Sequence, residues 1–167
     1  MPGGPSFAIT IEPADWVTDR AAIESVRRSV FIEEQRVPES EEWDEADPLC
    51  RHVLAFSENR DAVGTGRLDA DGKIGRVAVL KQYRGAGVGS LLMHYLVTLA
   101  GESGVREVYL NAQTAALKFY EGLGFRAEGP EFDEAGIPHR RMRLWIRRLD
   151  ESEAERDGNQ EPFVDAG

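Results

Sequence analysis

The sequence predicts an α/β (α+β) domain, a mixed central sheet of about seven strands flanked by helices, from three observations. Residues 76–92 read as an apolar strand, a glycine loop (Gly85, Gly87, Gly89) and a helix start in direct succession. Three strand patterns precede that loop in close order, over 50–57, 62–69 and 73–80, with Asn59-Arg60-Asp61 and Asp71-Gly72 as the turns between them. A helical pattern over 88–100 then leads to another strand at 105–111, and a right-handed crossover would make the strands on either side of this helix parallel neighbours.

The remaining elements follow in order. Residues 7–12 alternate as a short strand, and Pro13-Ala14-Asp15 offers a helix start with Asp15 as N-cap. That helix is expected to run to about Glu34, with Val17, Ala21, Ile23, Val26, Val30 and Phe31 on one stripe and Arg20, Glu24, Arg27 and Arg28 off it. Residues 35–48 turn to prolines and acids around Trp43, the composition of a loop that folds over something. Beyond the central helix, which Gly101 and Gly104 close, Thr114 should cap a helix ending at Leu123–Gly124, and strands over 125–132 and 139–146 complete the set.

With 167 residues and 41% apolar composition, the chain is most simply one domain, expected over 1–149. The net charge of −10 is uneven: residues 150–167 carry seven acids against Arg156 alone, the pattern of an acidic, disordered tail. Such a balance argues against nucleic acid as a partner. The most apolar stretch, 90–101, is broken by His94 and too short for a bilayer, and the opening Met-Pro-Gly-Gly-Pro lacks the regions of a signal peptide, so no membrane role and a cytoplasmic location are expected. Arginines outnumber lysines 17 to 3, which fits either a GC-rich genome or a salt-rich cytoplasm. A lone Cys50 reads as a small strand residue, His94 on its apolar stripe reads as structural, and the three histidines lack metal-ligand spacing, so no metal is expected.

The glycine loop carries the chemistry. A helix beginning at residues 87–90 presents unpaired N–H groups and the positive end of its dipole, and glycines let an anion approach the backbone. A Walker A loop is ruled out by spacing and the missing lysine, and a dinucleotide fingerprint counted from Gly85 would need its third glycine where Ser90 stands. What fits is Gln82-x-x-Gly85-x-Gly87.

That spacing resembles the coenzyme A signature of the GNAT N-acetyltransferases, and the element order resembles their fold over residues 7–148. A second motif, Leu110-Asn111-Ala112-Gln113 through Phe119-Tyr120-Glu121-Gly122-Leu123-Gly124-Phe125, is similar to the helix that contacts the coenzyme in that family. Val30-Phe31-Ile32-Glu33-Glu34-Gln35 and Gly136-Ile137-Pro138-His139 look like the ElaA and YjcF branch. The resemblance implies transfer of an acetyl group from acetyl-coenzyme A, without a metal, to a primary amine of a small-molecule or peptide acceptor in a ternary complex. It implies that Val77, Ala78 and Val79 pair with the pantetheine arm like an added strand, and that Gln82, Gly85, Ala86, Gly87, Val88, Gly89 and Ser90 hold the pyrophosphate. Arg84 is either a solvated loop residue or a phosphate contact. Phe119 lies against the pantetheine or in the core, and Tyr120 is the expected general acid for the departing thiolate.

The sequence departs from the family at two points. Gln113 stands where many relatives place an asparagine, so either it or Asn111 is the expected coenzyme contact, and Val108 stands where some carry a glutamate base. The base is therefore sought among Glu34, His52 and His139, which together with Gln35 are also the candidate acceptor contacts. The acidic stretch 39–47 could attract a cationic amine. Two other readings remain: a catalytically silent acyl-coenzyme A sensor, and a nucleotide-binding oxidoreductase. An exposed final strand could pair two copies as a homodimer.

Overall fold

The computed structural model describes residues 7–146; the expectations for the 150–167 tail and for a domain end at 149 lie outside the described residues. Strands β1 (Thr10–Ala14), β2 (Arg51–Phe56), β3 (Ala62–Leu68) and β4 (Ile74–Val79) form an antiparallel sheet in that order. The turn into β4 has the chemistry its sequence suggested: Gly72 adopts φ 92°, and the Asp69 carboxylate accepts from the N–H groups of Asp71 and Lys73. Val53, Ala55, Val63, Leu68 and Ile74 share one core cluster with Leu92 and Leu96 of helix α3 (Val88–Glu102). An ideal Cβ on Gly66 would come within 2.8 Å of the Leu96 side chain, so a side chain at that position would force the Leu96 end to shift.

The other face takes helix α1 (Arg20–Arg27) and the π-helical segment Arg28–Glu34 that continues it, with Val26, Val30, Phe31 and Val37 packed around Ala78 of β4, and the short helix α2 (Glu39–Glu42) follows. Asp15 does not cap this helix. Pro13 and Ala14 belong to β1, and the Asp15 carboxylate instead closes a separate turn by accepting from the N–H groups of Val17 and Thr18. Arg27 also departs from expectation. It is 1% exposed on the buried side of α1, where it donates to Glu42 at 2.7 Å and to Asp47 at 2.6 Å.

A second antiparallel sheet holds β5 (Glu107–Gln113), β6 (Arg126–Glu134) and β7 (Ile137–Trp145) in the order β5-β7-β6, with the short helix α4 (Leu117–Gly122) between β5 and β6. The final strand is thus central and β6 is the edge, because the hairpin at Ala135 and Gly136 (φ 53° and 77°) folds β7 back between its neighbours. The expected pairing of two copies through an exposed last strand has no such edge to use. His94 is exposed on α3 and takes no part in the core. No helix among the described residues is long and apolar enough to cross a membrane.

Candidate functional site

The seven strands do not close into one sheet. β4 and β5 run parallel, as the crossover requires, but are joined by a single bridge, between Lys73 just before β4 and Tyr109 of β5, and then diverge. The cause lies in β4. Gly75 pairs with Arg67 and Ala78 with Thr65, so one extra residue is inserted, and Arg76 absorbs it at φ 51°. A bulge of this kind twists and bends its strand, and it carries Val77–Val79 away from β5. β3 pairs one edge of that segment; β5 contributes no ladder bond to the other.

A cavity of about 940 Å³ opens at the gap. At its mouth lies the loop of Gly85, Gly87, Val88, Gly89 and Ser90. Gly85 and Gly87 adopt φ 78° and 84°, and an ideal Cβ at either would meet nothing within 4 Å, so the space over the loop is open. The first helical bond of α3 runs from the Leu91 N–H to the Gly87 carbonyl, which leaves the preceding N–H groups of the first turn directed at that space. These features fit a diphosphate.

Both sheets supply the walls. Val77, Ala78, Val79 and Arg84 come from the first sheet and its loop, and Asn111, Gln113, Phe119, Tyr120 and His139 from the second sheet and α4. The Phe119 ring lies over Gly89, 3.2 Å from where a Cβ would stand, and edge-on to Tyr120 at 5.0 Å between centroids. The Tyr120 ring also meets Phe125 at 5.9 Å, and burial pushes its phenol up to about 12, so at neutral pH it is a proton donor.

A model of the acetyltransferase (GNAT) domain matches residues 20–146. The chain belongs to the GNAT acetyltransferase family. Members of this family draw on an acyl-coenzyme A as acyl donor. The chain is similar to the N-acetyltransferase YjcF of Bacillus subtilis, 42% identical over 121 residues, covering 70% of this chain and 86% of that protein. Among solved structures, an acyl-CoA N-acyltransferase from Pseudomonas aeruginosa superposes with TM-score 0.71 at 30% identity, over 83% of this chain and 99% of that one. Escherichia coli ElaA superposes with TM-score 0.70 at 30% identity, over 81% and 98%. The ElaA and YjcF branch read from the sequence is thereby supported.

Within this GNAT domain, the sequence candidates separate into those the cavity gathers and those it does not. Gln82 and Ala86 are outside its lining, Gln82 exposed on the single turn Lys81–Tyr83. Gln35 and Gln113 both line it and pair with each other: Gln113 Nε2 donates to Gln35 Oε1 at 2.9 Å, tying the end of the π-helical segment to the end of β5. Glu34 stands outside the lining, its carboxylate held in a fork by Arg84 at 2.6 and 2.9 Å. That pairing holds its carboxyl below the usual range and makes it a poor base.

His52 lies elsewhere. Its ring is buried against Trp16 at 4.9 Å, and Nε2–H donates to the Asp47 carbonyl at 2.7 Å, a packing role. Burial holds its pKa below the ordinary value, so the folded protein takes up the His52 proton less readily than the unfolded chain. Stability carried by neutral His52 is therefore present above about pH 6.5 and lost as pH falls from there through the lowered folded value. Between pH 7.5 and 5.5 the urea midpoint should drop more in the native protein than in His52→Gln, which keeps a donor for Asp47; equal drops would remove His52 from the acid response.

His139 is the histidine the cavity retains. Nδ1–H donates to the Ile137 carbonyl at 2.6 Å, which fixes the tautomer and leaves Nε2 as the basic nitrogen, 3.6 Å from a Glu134 oxygen. Val108, which stands where some family members carry a glutamate, is fully buried core.

The acidic stretch is not a free trap for cations. Glu39 pairs with Arg28, Glu42 with Arg27, Asp44 with Arg67 and Arg76, and Asp47 with Arg27 and Arg67. The Arg67 fork pulls Asp44 down to about 2. Burial raises Glu42 against the pull of Arg76 and Arg27, whereas at Asp47 the same burial is overcome by Arg27 and Arg67. This segment forms a cavity wall through Glu41, Glu42, Asp44 and Ala46. Sequence reasoning missed Arg27, Arg67 and Arg76 as its partners, because the pairs join residues 15 to 32 positions apart.

Proposed function

We propose that this GNAT enzyme moves an acetyl group from acetyl-coenzyme A to a primary amine, within the cytoplasm, by direct attack in a ternary complex. The observation that carries the reading is the gap between β4 and β5, with a diphosphate-fitting loop at its mouth and Tyr120 and His139 on its walls. Acetyl-coenzyme A supplies an activated acyl carbon and a thiolate leaving group.

The chain's own groups do the rest. N–H groups of the first turn of α3 bind the pyrophosphate, and the edge of Val77–Val79 that β5 leaves without a ladder bond takes the pantetheine amides as a neighbouring strand would. A backbone N–H near Val79 polarises the thioester carbonyl. His139 Nε2, 3.6 Å from a Glu134 oxygen, accepts the proton of the amine as the N–C bond forms. As the C–S bond breaks, the Tyr120 hydroxyl delivers its proton to sulfur. Gln35 and Gln113 border the acceptor's approach, and Asn111 is the second amide within reach of the coenzyme.

The test is thiol release from acetyl-coenzyme A across a panel of small-molecule amines and lysine peptides. At least one amine should raise the rate above hydrolysis with formation of its N-acetyl product. Binding of the coenzyme with no amine-dependent thiol release across the panel would favour a silent acyl-coenzyme A sensor instead.

A further inference from the structure

The Arg84 side chain lines the cavity beside the glycine loop. Its Nη1 and Nη2 donate to Glu34 at 2.6 and 2.9 Å, and its Nε donates to the Val79 carbonyl at 2.9 Å. Three donors are thus spent, and the side chain spans from the end of the π-helical segment to the end of β4. Arg84 is also the residue immediately before Gly85, at the edge of the loop that fits a diphosphate. The Val79 carbonyl it occupies belongs to the segment whose free edge lies along the gap. Glu34 ends a seven-residue π-helical run, a wide backbone turn that is rare in proteins and concentrated at functional sites.

We propose that Glu34 competes with the coenzyme for Arg84. In the empty cavity Glu34 holds the fork; on loading, the fork passes to the coenzyme's phosphates, and the Val79 carbonyl becomes available to a pantetheine amide. Both partners favour the exchange chemically, since a phosphate accepts the same two-pronged donation as a carboxylate and carries more charge. Glu34 is then a determinant of coenzyme affinity that acts through Arg84 and opposes binding. The inference rests on the coenzyme reading above.

Calorimetry with coenzyme A itself tests it. Glu34→Gln keeps the side-chain shape but releases the guanidinium, and it should bind coenzyme A about two- to five-fold more tightly, the range a half-exposed ion pair spans. The gain should shrink at high salt. In an Arg84→Gln background the same substitution should change nothing, which a merely structural Glu34 would not produce. Hydrogen exchange at residues 28–35 should rise when coenzyme A is added to the native protein. Unchanged or weaker binding by folded Glu34→Gln, or an equal gain without Arg84, overturns the competition. No binding by the native protein would instead overturn the coenzyme reading.

Discussion

Tyr120→Phe should slow single-turnover acetyl transfer by roughly 10² to 10⁴ while leaving coenzyme A affinity nearly unchanged. The substitution keeps the ring that meets Phe119 and Phe125 and removes only the hydroxyl. Burial keeps that hydroxyl protonated far above neutral pH, so it is available as a donor throughout the physiological range. The pH profile has a definite sign: the acid limb should follow protonation of the base, and no basic limb from Tyr120 should appear below its value of about 12. Rapid-quench measurement is required, because slow product release would mask a loss in the chemical step. A native single-turnover rate in Tyr120→Phe would mean that the thiolate leaves unaided or takes its proton from another group.

Gly87→Glu should weaken coenzyme A binding by at least about 10²-fold, since a like charge set against an anion costs several kcal/mol and each 1.4 kcal/mol is a factor of ten. Gly87 is the N-cap of α3 with φ 84°, a conformation that itself costs a side-chain-bearing residue roughly 1–2 kcal/mol. Gly87→Ala separates the two effects, because it meets the same strain without the charge, and the open space over the loop gives its methyl group nothing to strike. Calorimetry on both variants, with circular dichroism as a check on folding, decides the matter. Equal affinities for Gly87→Glu and Gly87→Ala would place the diphosphate away from this loop.

Local chemistry made much of this legible in advance. Asp71-Gly72 fixed the hairpin into β4, and the glycine run marked the start of α3. What escaped was nonlocal or backbone-borne. Arg76 at φ 51° leaves no mark in a sequence, yet its bulge divides the expected single sheet into two. The central place of β7 depends on where a hairpin folds back, not on the strand's own pattern. Arg27 reads as a polar residue beside an apolar stripe until Glu42 and Asp47, 15 and 20 residues on, turn out to enclose it. Glu34 and His52 had the right chemistry for a base, but an arginine fork and a carbonyl had already claimed them.

The divided sheet has a mechanical consequence. If the pantetheine arm lies between β4 and β5, the substrate is also a building part: it stitches two half-sheets that otherwise share one backbone bridge and the core under α3. Each catalytic cycle would then end by unzipping the protein's own middle seam, and the pace of repeated turnover would be governed by how readily that seam parts.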